Sequence, residues 1–514
     1  MFLLNHIVTG MDVDPGVPAF IEPDGSAISY PILGERIRRL AGGLTQLCGD
    51  TGAIGMLALN SRRYLELMLA AAWAGKVAVP LNVRWSPREL AFGIADAGIG
   101  LLLVDDATIP LVAGLRELAG TMPRLVWYGE GECPAGMEPF EALLEGAPSD
   151  AAPATEASMA AIVYTGGTTG QSRGVVHSQG SLMASALNWV CMGGMPVGSR
   201  CLLSLPLFHV GAIGIALAQM LQRATLVMVP AFRADLVRDA VVRRGADALA
   251  AVPTMIGMLL DDPDFDAGDY RGLRAVSYGA SPMPTALLHR VMESFPDARL
   301  TQAYGMTEVG LAVGLADRWH RADAALLAAA GQPGPLYAVR IVDDHGRDVA
   351  RGAMGEVIFS GPGVMTRYLN QPELTAEALK DGWLHSGDMG IMDAAGMITL
   401  LDRKKDMIVS GGENVYSVEV ENAVSSHPAV RQCAVVGVPD DRLGERVHAI
   451  VVLHDEEQQF DLEALRRHCE PFLAGYKHPR SLEIATELPF SSMGKILKSE
   501  LRAKHWTNGL RKIN

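Results

Sequence analysis

Short apolar runs of the β type alternate with helix-period stretches along most of the chain. "ALAAVPT" follows the helix-like "DLVRDAVVRRG", and "LRAVSYGAS" precedes "PTALLHRVMESF". Such alternation predicts an α/β fold in which mostly parallel sheets are covered by helices. One stretch, 202–221 ("LLSLPLFHVGAIGIALAQML"), carries no Lys, Arg, Asp or Glu and approaches the ~20 residues that a membrane span needs. Pro206, His209 and two glycines interrupt it, and a further strand-like run, "RATLVMVP", follows. It therefore reads as buried strand, loop, buried helix and buried strand, with no membrane span.

With 514 residues the chain is too long for one core. The pattern changes near residue 402. Before it, hairpin-like strands run into the charged, glycine-rich "LDRKKDMIVSGGENVYSVEVE"; after it come two β runs, "QCAVVGVP" and "VHAIVVLH". A helix, "DLEALRRHCE", and a closing strand near "RSLEIATELP" complete what suffices for a small α+β domain. The boundary is placed at Asp402, giving a large domain over 1–401, built of several subdomains with sheets flanked by helices, and a small one over 402–514.

Composition narrows the field. Hydrophobic residues make up 49% and charged residues 20%, an ordinary globular balance. Lys and Arg total 44 against 58 Asp and Glu, and the net charge of −14 argues against a nucleic-acid or anionic-membrane partner. Six scattered cysteines without a C-x-x-C pair fit reduced thiols better than disulfides or a zinc site. The opening "MFLLNHIVTGMDVD" has no basic n-region and turns acidic at once, a poor signal peptide, so a cytoplasmic protein is expected.

The chemistry concentrates in loops. "YTGGTTGQSRGVVHS" (164–178) follows the apolar run "MAAIVY". It lacks the Gly-Lys-Ser/Thr ending of a P-loop. It still offers backbone N–H groups at Gly166, Gly167 and Gly170, hydroxyls at Thr165, Thr168 and Thr169, and a cation at Arg173, a set that suits phosphate oxygens. Alone, such a loop is more often a plain turn. "QAYGMTE" (302–308), "GWLHSGDMG" (382–390), the hinge-like "LDRKKDMIVSGGENVYSVEVE" (401–421) and "PFSSMGKILKSELR" (489–502) follow in order.

Through these five motifs the chain resembles the adenylate-forming superfamily of acyl-CoA synthetases, luciferases and peptide-synthetase adenylation domains, and most closely the acyl-CoA synthetase branch. The resemblance runs over essentially the whole chain. It implies that ATP and a carboxylic acid give an acyl-adenylate and pyrophosphate, after which coenzyme A displaces AMP. The 165–173 loop would hold the β- and γ-phosphates. Here Gly167 replaces a usual serine and Ser172-Arg173 a usual Pro-Lys; Arg keeps the charge, and loss of proline loosens the loop.

The same resemblance assigns further roles. Tyr304, beside Gly305, would stack on adenine, with Gly279, Ala280 and Ser281 on the other side of the ring. Glu308 would bind Mg²⁺, with Thr165 as a second ligand, and Thr307 would touch the phosphates. Asp388 would accept hydrogen bonds from the ribose hydroxyls, and Arg403 would contact the same ribose. Lys404 and Lys405 are expected to form a solvated face. Lys495 would stabilise charge growing on the α-phosphate, and Lys498 is expected to face solvent. The small domain would be mobile, rotating about Asp402 so that Lys495 leaves and Ser410, Gly411, Gly412 and Glu413 line a channel for the thiol arm. Ser417 stands where the family commonly has proline, and is expected to cap the helix that follows. His209 would gate the thiol tunnel and meet the substrate carboxylate.

The acyl pocket is expected around His209, Val210, Gly211, the helix over 212–220, Thr254, Met255 and Tyr278. These segments contain no Lys or Arg, which favours aromatic or short-to-medium aliphatic monocarboxylates over dicarboxylates. The expected partners are thus a small carboxylic acid, ATP and coenzyme A, with a homodimer left open. Carrier-protein loading, luciferase-type oxidation and a non-catalytic binding descendant remain as alternatives; retention of Lys495 and Glu308 speaks against the last.

Overall fold

The computed structural model describes residues 3–13, 16–48, 52–118, 121–165, 172–322, 324–455, 460–491 and 495–506. Among them the strands form four sheets, of nine, eight, five and five strands. The nine-stranded sheet has a parallel centre in which Arg299–Met306, Ala275–Gly279, Ala248–Ala251, Arg200–Leu203, Thr225–Met228 and Pro18–Ile21 lie side by side. The eight-stranded sheet is parallel over Val77–Pro80, Ala53–Leu57, Ile99–Asp105 and Arg124–Tyr128, and ends in the antiparallel hairpin of Met159–Thr165 with Arg173–Ser178. This is the α/β architecture that the alternating pattern predicts.

The charge-free stretch resolves as expected. Arg200–Leu203 is a buried strand, Val210–Leu221 a helix buried on nearly every face, and Thr225–Met228 a buried strand beside the first. No helix among the described residues is long and apolar enough to cross a membrane. The helix is hydrophobic all round because the nine-stranded sheet and neighbouring helices enclose it, not lipid.

The third sheet is antiparallel and places Trp383–Met392 between Met354–Ser360 and Ile398–Arg403. Asp402 pairs with Met389 inside it, so the boundary residue is still bonded to the large domain's sheet. The fourth sheet starts at Ile408–Ser410 and includes Glu413–Val415, Val430–Asp440, Gly444–Leu453 and Ser481–Ile484. One of its faces packs Val447, Ala449 and Val451 under the helices Ser417–Ser425 and Leu462–Cys469; the other packs Ile450 and Val452 under Leu501.

Candidate active site

Parallel strands put their C-terminal ends on one edge of a sheet, where ligands of α/β folds collect. On the nine-stranded sheet that edge carries His209 beyond Arg200–Leu203, Thr254 and Met255 beyond Ala248–Ala251, and Gly279 at the end of its own strand. Tyr304 lies near the end of the next strand. Gly305 has a steric reason to be glycine: a Cβ there would stand 1.7 Å from the carbonyl oxygen of Gly310 on the paired strand. Ala280 holds φ at +67°, a left-handed conformation that costs a residue with a Cβ about 1–2 kcal/mol. Ala280 and Ser281 thus follow the strand in a strained corner beside Tyr304.

Tyr304 and Asp388 meet. The buried Tyr304 hydroxyl donates to Asp388 Oδ2 at 2.7 Å, and Arg403 Nε lies 3.2 Å from Asp388 Oδ1. Asp388 and Arg403 face each other across paired strands, so the sheet itself sets their distance. Asp388 is therefore a strand residue, not a turn aspartate, and each carboxylate oxygen keeps a second lone pair for a hydroxyl. Lys495 belongs to the same charge cluster. Burial and the positive charge of Arg403 push its ammonium down to about 8, while Asp388 and Asp406 act in the opposite direction.

Glu308 is buried, and burial raises its carboxyl above the ordinary range. The Tyr368 hydroxyl, 2.8 Å from Oε1, works against that, with a backbone N–H and Arg403 behind it. Arg173 in turn stands 5.9 Å over the Tyr368 ring. Thr165 and Arg173 face each other in register at the neck of the hairpin, so both ends of the glycine-rich loop are fixed. Gly166, Gly167, Thr168, Thr169 and Gly170 lie outside the described residues.

Thr307 is held through its backbone. Buried His177 places Nε2 2.7 Å from the Thr307 carbonyl and Nδ1 3.1 Å from Ser181 Oγ. A carbonyl only accepts, so Nε2 carries the proton; burial drives the ring's pKa down to about 4, so Nδ1 accepts from Ser181. This neutral histidine braces the segment bearing Thr307 and Glu308.

Several sequence expectations change. Lys498 does not face solvent: its Nζ lies 2.5 Å from Ser417 Oγ and 2.8 Å from Glu421 Oε1. The helix Lys498–Ala503 lies along the small domain, bringing Lys498 onto a buried carboxylate that needs a cation. Lys405 is not a solvated residue either, being half-buried with an ammonium lowered to about 8 by burial and by Arg403. Lys404, exposed and paired with Asp344 at 2.7 Å, does match the expectation. Ser417 is not the cap of its helix. Tyr416 holds that position, and Ser417 is the first helical residue, with its N–H and Oγ both on Asp402 Oδ2.

The acyl-side residues divide. His209 precedes the helix Val210–Leu221, packs against Phe208 with ring centroids 4.4 Å apart, and is held neutral, its pKa lowered to about 3 by burial and by Arg84. Arg84 is thus a cation close to the site from a segment that the sequence reading passed over. Val210 and Met255 are buried, Gly211 and Thr254 half-buried. Tyr278 points its hydroxyl at His320 Nε2, 2.7 Å away, and its ring is packed in the core. Ser410 is buried, and Glu413 pairs with it across the two-residue turn Gly411-Gly412, whose φ values are +64° and +86°. That is the backbone of a type I′ hairpin, for which glycine is suited.

Comparison with known proteins shows the family. The AMP-binding enzyme family matches residues 10–369, and the AMP-binding enzyme C-terminal domain matches 419–495. The chain is a member of the AMP-binding enzyme family. It belongs to the acyl-CoA synthetase branch of the adenylate-forming superfamily. It is 36% identical over 482 residues to a feruloyl-CoA synthase from an Amycolatopsis species, covering 93% of this chain and 94% of that one. It is 34% identical over 514 residues to the fatty acid–[acyl-carrier-protein] ligase ScoC of Streptomyces coeruleorubidus, covering 98% and 96%. Among solved structures, ATP-bound MatB from Rhodopseudomonas palustris superimposes with a TM-score of 0.87 at 27% identity, over 98% of this chain and 99% of that one.

Two members of the site escaped the sequence reading for a stated reason. Tyr368 sits in a two-residue strand, Arg367–Tyr368, too short for any periodic signal. His177 lies in "RGVVHS", where a histidine at a strand end carries no motif.

Proposed function

We propose that the protein is an acid–CoA ligase that activates an aromatic or short-to-medium aliphatic monocarboxylic acid. The observation that carries this reading is the meeting of Tyr304, Asp388, Arg403 and Lys495, drawn from both parts of the chain, beside Glu308. A substrate carboxylate oxygen attacks the α-phosphorus of ATP, forming the acyl-adenylate as the bond to pyrophosphate breaks. Lys495 supplies positive charge where negative charge grows, stabilising the transition state more than the ground state. Asp388 and Arg403 hold the ribose, Tyr304 the adenine, and Thr165, Arg173 and Thr307 the phosphates. A thiolate then attacks the acyl carbon and AMP leaves.

Glu308 fits Mg²⁺, with Thr165 beside the phosphate loop as a second ligand. A buried carboxylate that the Tyr368 hydroxyl and Arg403 only partly offset is a hard oxygen in need of a cation. The ion would offset phosphate charge. For the thiol step, rotation about Asp402 would exchange Lys495 for the Ser410–Glu413 turn, with His209 at the tunnel.

Pyrophosphate release over a panel of acids, with and without coenzyme A, tests the reading. AMP and pyrophosphate are the expected products; ADP and phosphate would overturn it. A holo-carrier protein replaces coenzyme A in a parallel arm, because ScoC, a relative, is named for that acceptor.

A further inference from the structure

The small domain holds a second cluster of metal-ligating side chains, outside the adenylation motifs, with Glu483 and His505 flanking the one at 489–502. Along the strand Gly444–Leu453, His448 and Ile450 share the face that Leu501 covers. The neighbouring parallel strand Ser481–Ile484 pairs Ser481 with His448, and alternation puts Glu483 on the same face as Ser481. The chain leaving the helix Lys498–Ala503 then brings His505 over His448, with ring centroids 4.9 Å apart. Trp506 fixes that turn, its Nε1 donating to the Gly437 carbonyl at 3.1 Å.

The three side chains converge on one point. His448 Nε2 lies 3.6 Å and His505 Nε2 3.8 Å from the same oxygen, Glu483 Oε2, and the ligand atoms all fall within 4.8 Å of one another. Both Nε2 atoms are buried without a hydrogen bond. His448 is 5% exposed, so its orphaned nitrogen has no access to bulk water. A buried polar atom without a partner costs about 1–3 kcal/mol, and here two occur together, aimed at a carboxylate.

The other nitrogen of His448 points to the same conclusion. Its Nδ1 is 2.8 Å from Ser481 Oγ, which also accepts from Arg446 Nε at 3.2 Å. With Nδ1–H donating to the hydroxyl, Nε2 presents a lone pair, the tautomer that a metal-bound imidazole takes with an outer hydrogen bond fixing its orientation. The Arg446 charge faces Asp440, 3.7 Å away.

We propose that His448, Glu483 and His505 form a three-ligand site for a divalent transition-metal ion of the zinc class, with water as the fourth ligand. Two imidazoles and one carboxylate are a recurring zinc donor set, and bonds of about 2.1 Å in a tetrahedron put donors about 3.4 Å apart. The His448–Glu483 and His505–Glu483 separations need close by only a few tenths of an ångström, and the two imidazole nitrogens, within 4.8 Å of each other, by up to about 1.4 Å. Glu483 and His505 are one-third exposed, which leaves the site an entry path. The ion would tie the far end of the Lys498–Ala503 helix to the sheet, steadying the segment that follows Lys495. It takes no part in the adenylation chemistry.

Tag-free protein, stripped with chelator and dialysed against Zn²⁺, provides the test. One zinc per chain by elemental analysis is expected, with a rise in melting temperature and, on Co²⁺ substitution, the visible bands of a four-coordinate ion. His505→Gln and Glu483→Gln should each lower zinc affinity at least tenfold and abolish the thermal shift, while pyrophosphate release with Mg²⁺-ATP stays within twofold of the parent. The pair His427 and His468, whose rings also lie close at 4.8 Å, is the control, and H427Q/H468Q should keep the zinc. Substoichiometric zinc in the parent, or zinc retained by both site variants or lost in the control, would overturn the assignment.

Discussion

Asp402 Oδ2 accepts two hydrogen bonds from one residue, Ser417, whose N–H and Oγ both stand 2.6 Å away. The contact joins the last strand of the large domain's third sheet to the first helix of the small domain. Ser417 Oγ donates to the carboxylate and accepts from Lys498, so the chain runs on to Glu421. It satisfies an N–H that every helix leaves open in its first turn, and proline at this position could not provide it.

This contact accompanies the arrangement in which Lys495 shares the electrostatic cluster of Asp388 and Arg403. Ser417→Ala removes two hydrogen bonds to charged groups, the one to Asp402 and the one from Lys498, each worth about 1.5–3 kcal/mol. Adenylate formation is expected to slow about tenfold or more, on the scale of 1.4 kcal/mol per decade, while transfer from ready-made acyl-adenylate to coenzyme A is unchanged or faster. Half-reactions measured separately by rapid quench decide it. Equal slowing of both would mean that the contact serves folding and not domain position.

Lys495→Ala should cost on the order of a hundredfold or more in adenylate formation and leave the thiol step nearly intact. The same residue sets a pH dependence. Its ammonium titrates near 8, below an ordinary lysine, so the useful charge is present below that value and lost above it. For the free enzyme, kcat/KM for adenylation is expected to fall as pH rises through about 8. Lys405 titrates close to the same pH, so a Lys405→Gln variant that keeps the alkaline limb assigns it to Lys495. A profile flat to pH 10 would contradict the assignment.

Tyr368→Phe removes the largest of the contacts that offset burial at Glu308. The Glu308 carboxyl should then rise further, so the acidic limb of the activity profile moves to higher pH. The Mg²⁺ concentration for half-maximal rate is expected to increase several-fold, with kcat recovered at saturating Mg²⁺ and higher pH. An unshifted limb in an otherwise folded Tyr368→Phe enzyme would show that Tyr368 does not tune Glu308.

Much of this was legible in the chain itself, for reasons that differ by residue. Period and run length located the strand, helix and strand over 200–228, because full burial leaves no polar position to confuse the signal. Tyr304, Glu308, Asp388 and Lys495 stand in motifs where glycine and polar residues break the apolar pattern. Lys498 was misread because its burial depends on Glu421, a carboxylate far off in the chain, and Lys405 because the packing that buries it leaves no mark on the local pattern. Arg84 illustrates the same limit. The pocket segments hold no cation of their own, yet a separate segment brings one near His209. Comparing benzoate-like and medium-chain acids with succinate, in the parent and in Arg84→Ala, checks the monocarboxylate preference. Succinate turning over faster than both in the parent would overturn it, and loss of that activity in Arg84→Ala would name the cation responsible.

The Gly411-Gly412 turn requires the most careful variant. Both residues have positive φ, and a Cβ at Gly412 would meet nothing within 4 Å, so strain there comes from the backbone and not from crowding. Leucine at this position would cost about 1–2 kcal/mol through its conformation alone, which confuses a test of the channel with a loss of stability. Asparagine tolerates the left-handed region and is favoured in type I′ turns, so Gly412→Asn keeps the hairpin while adding a side chain. Its melting temperature is expected to stay near the parent's, with Gly412→Leu lower. If the turn lines the thiol channel, Gly412→Asn should form acyl-adenylate at the parent rate and lose at least tenfold in transfer to coenzyme A. A Gly412→Asn enzyme with both half-reactions intact would mean that the glycines are there for the turn, and that the thiol arm enters elsewhere.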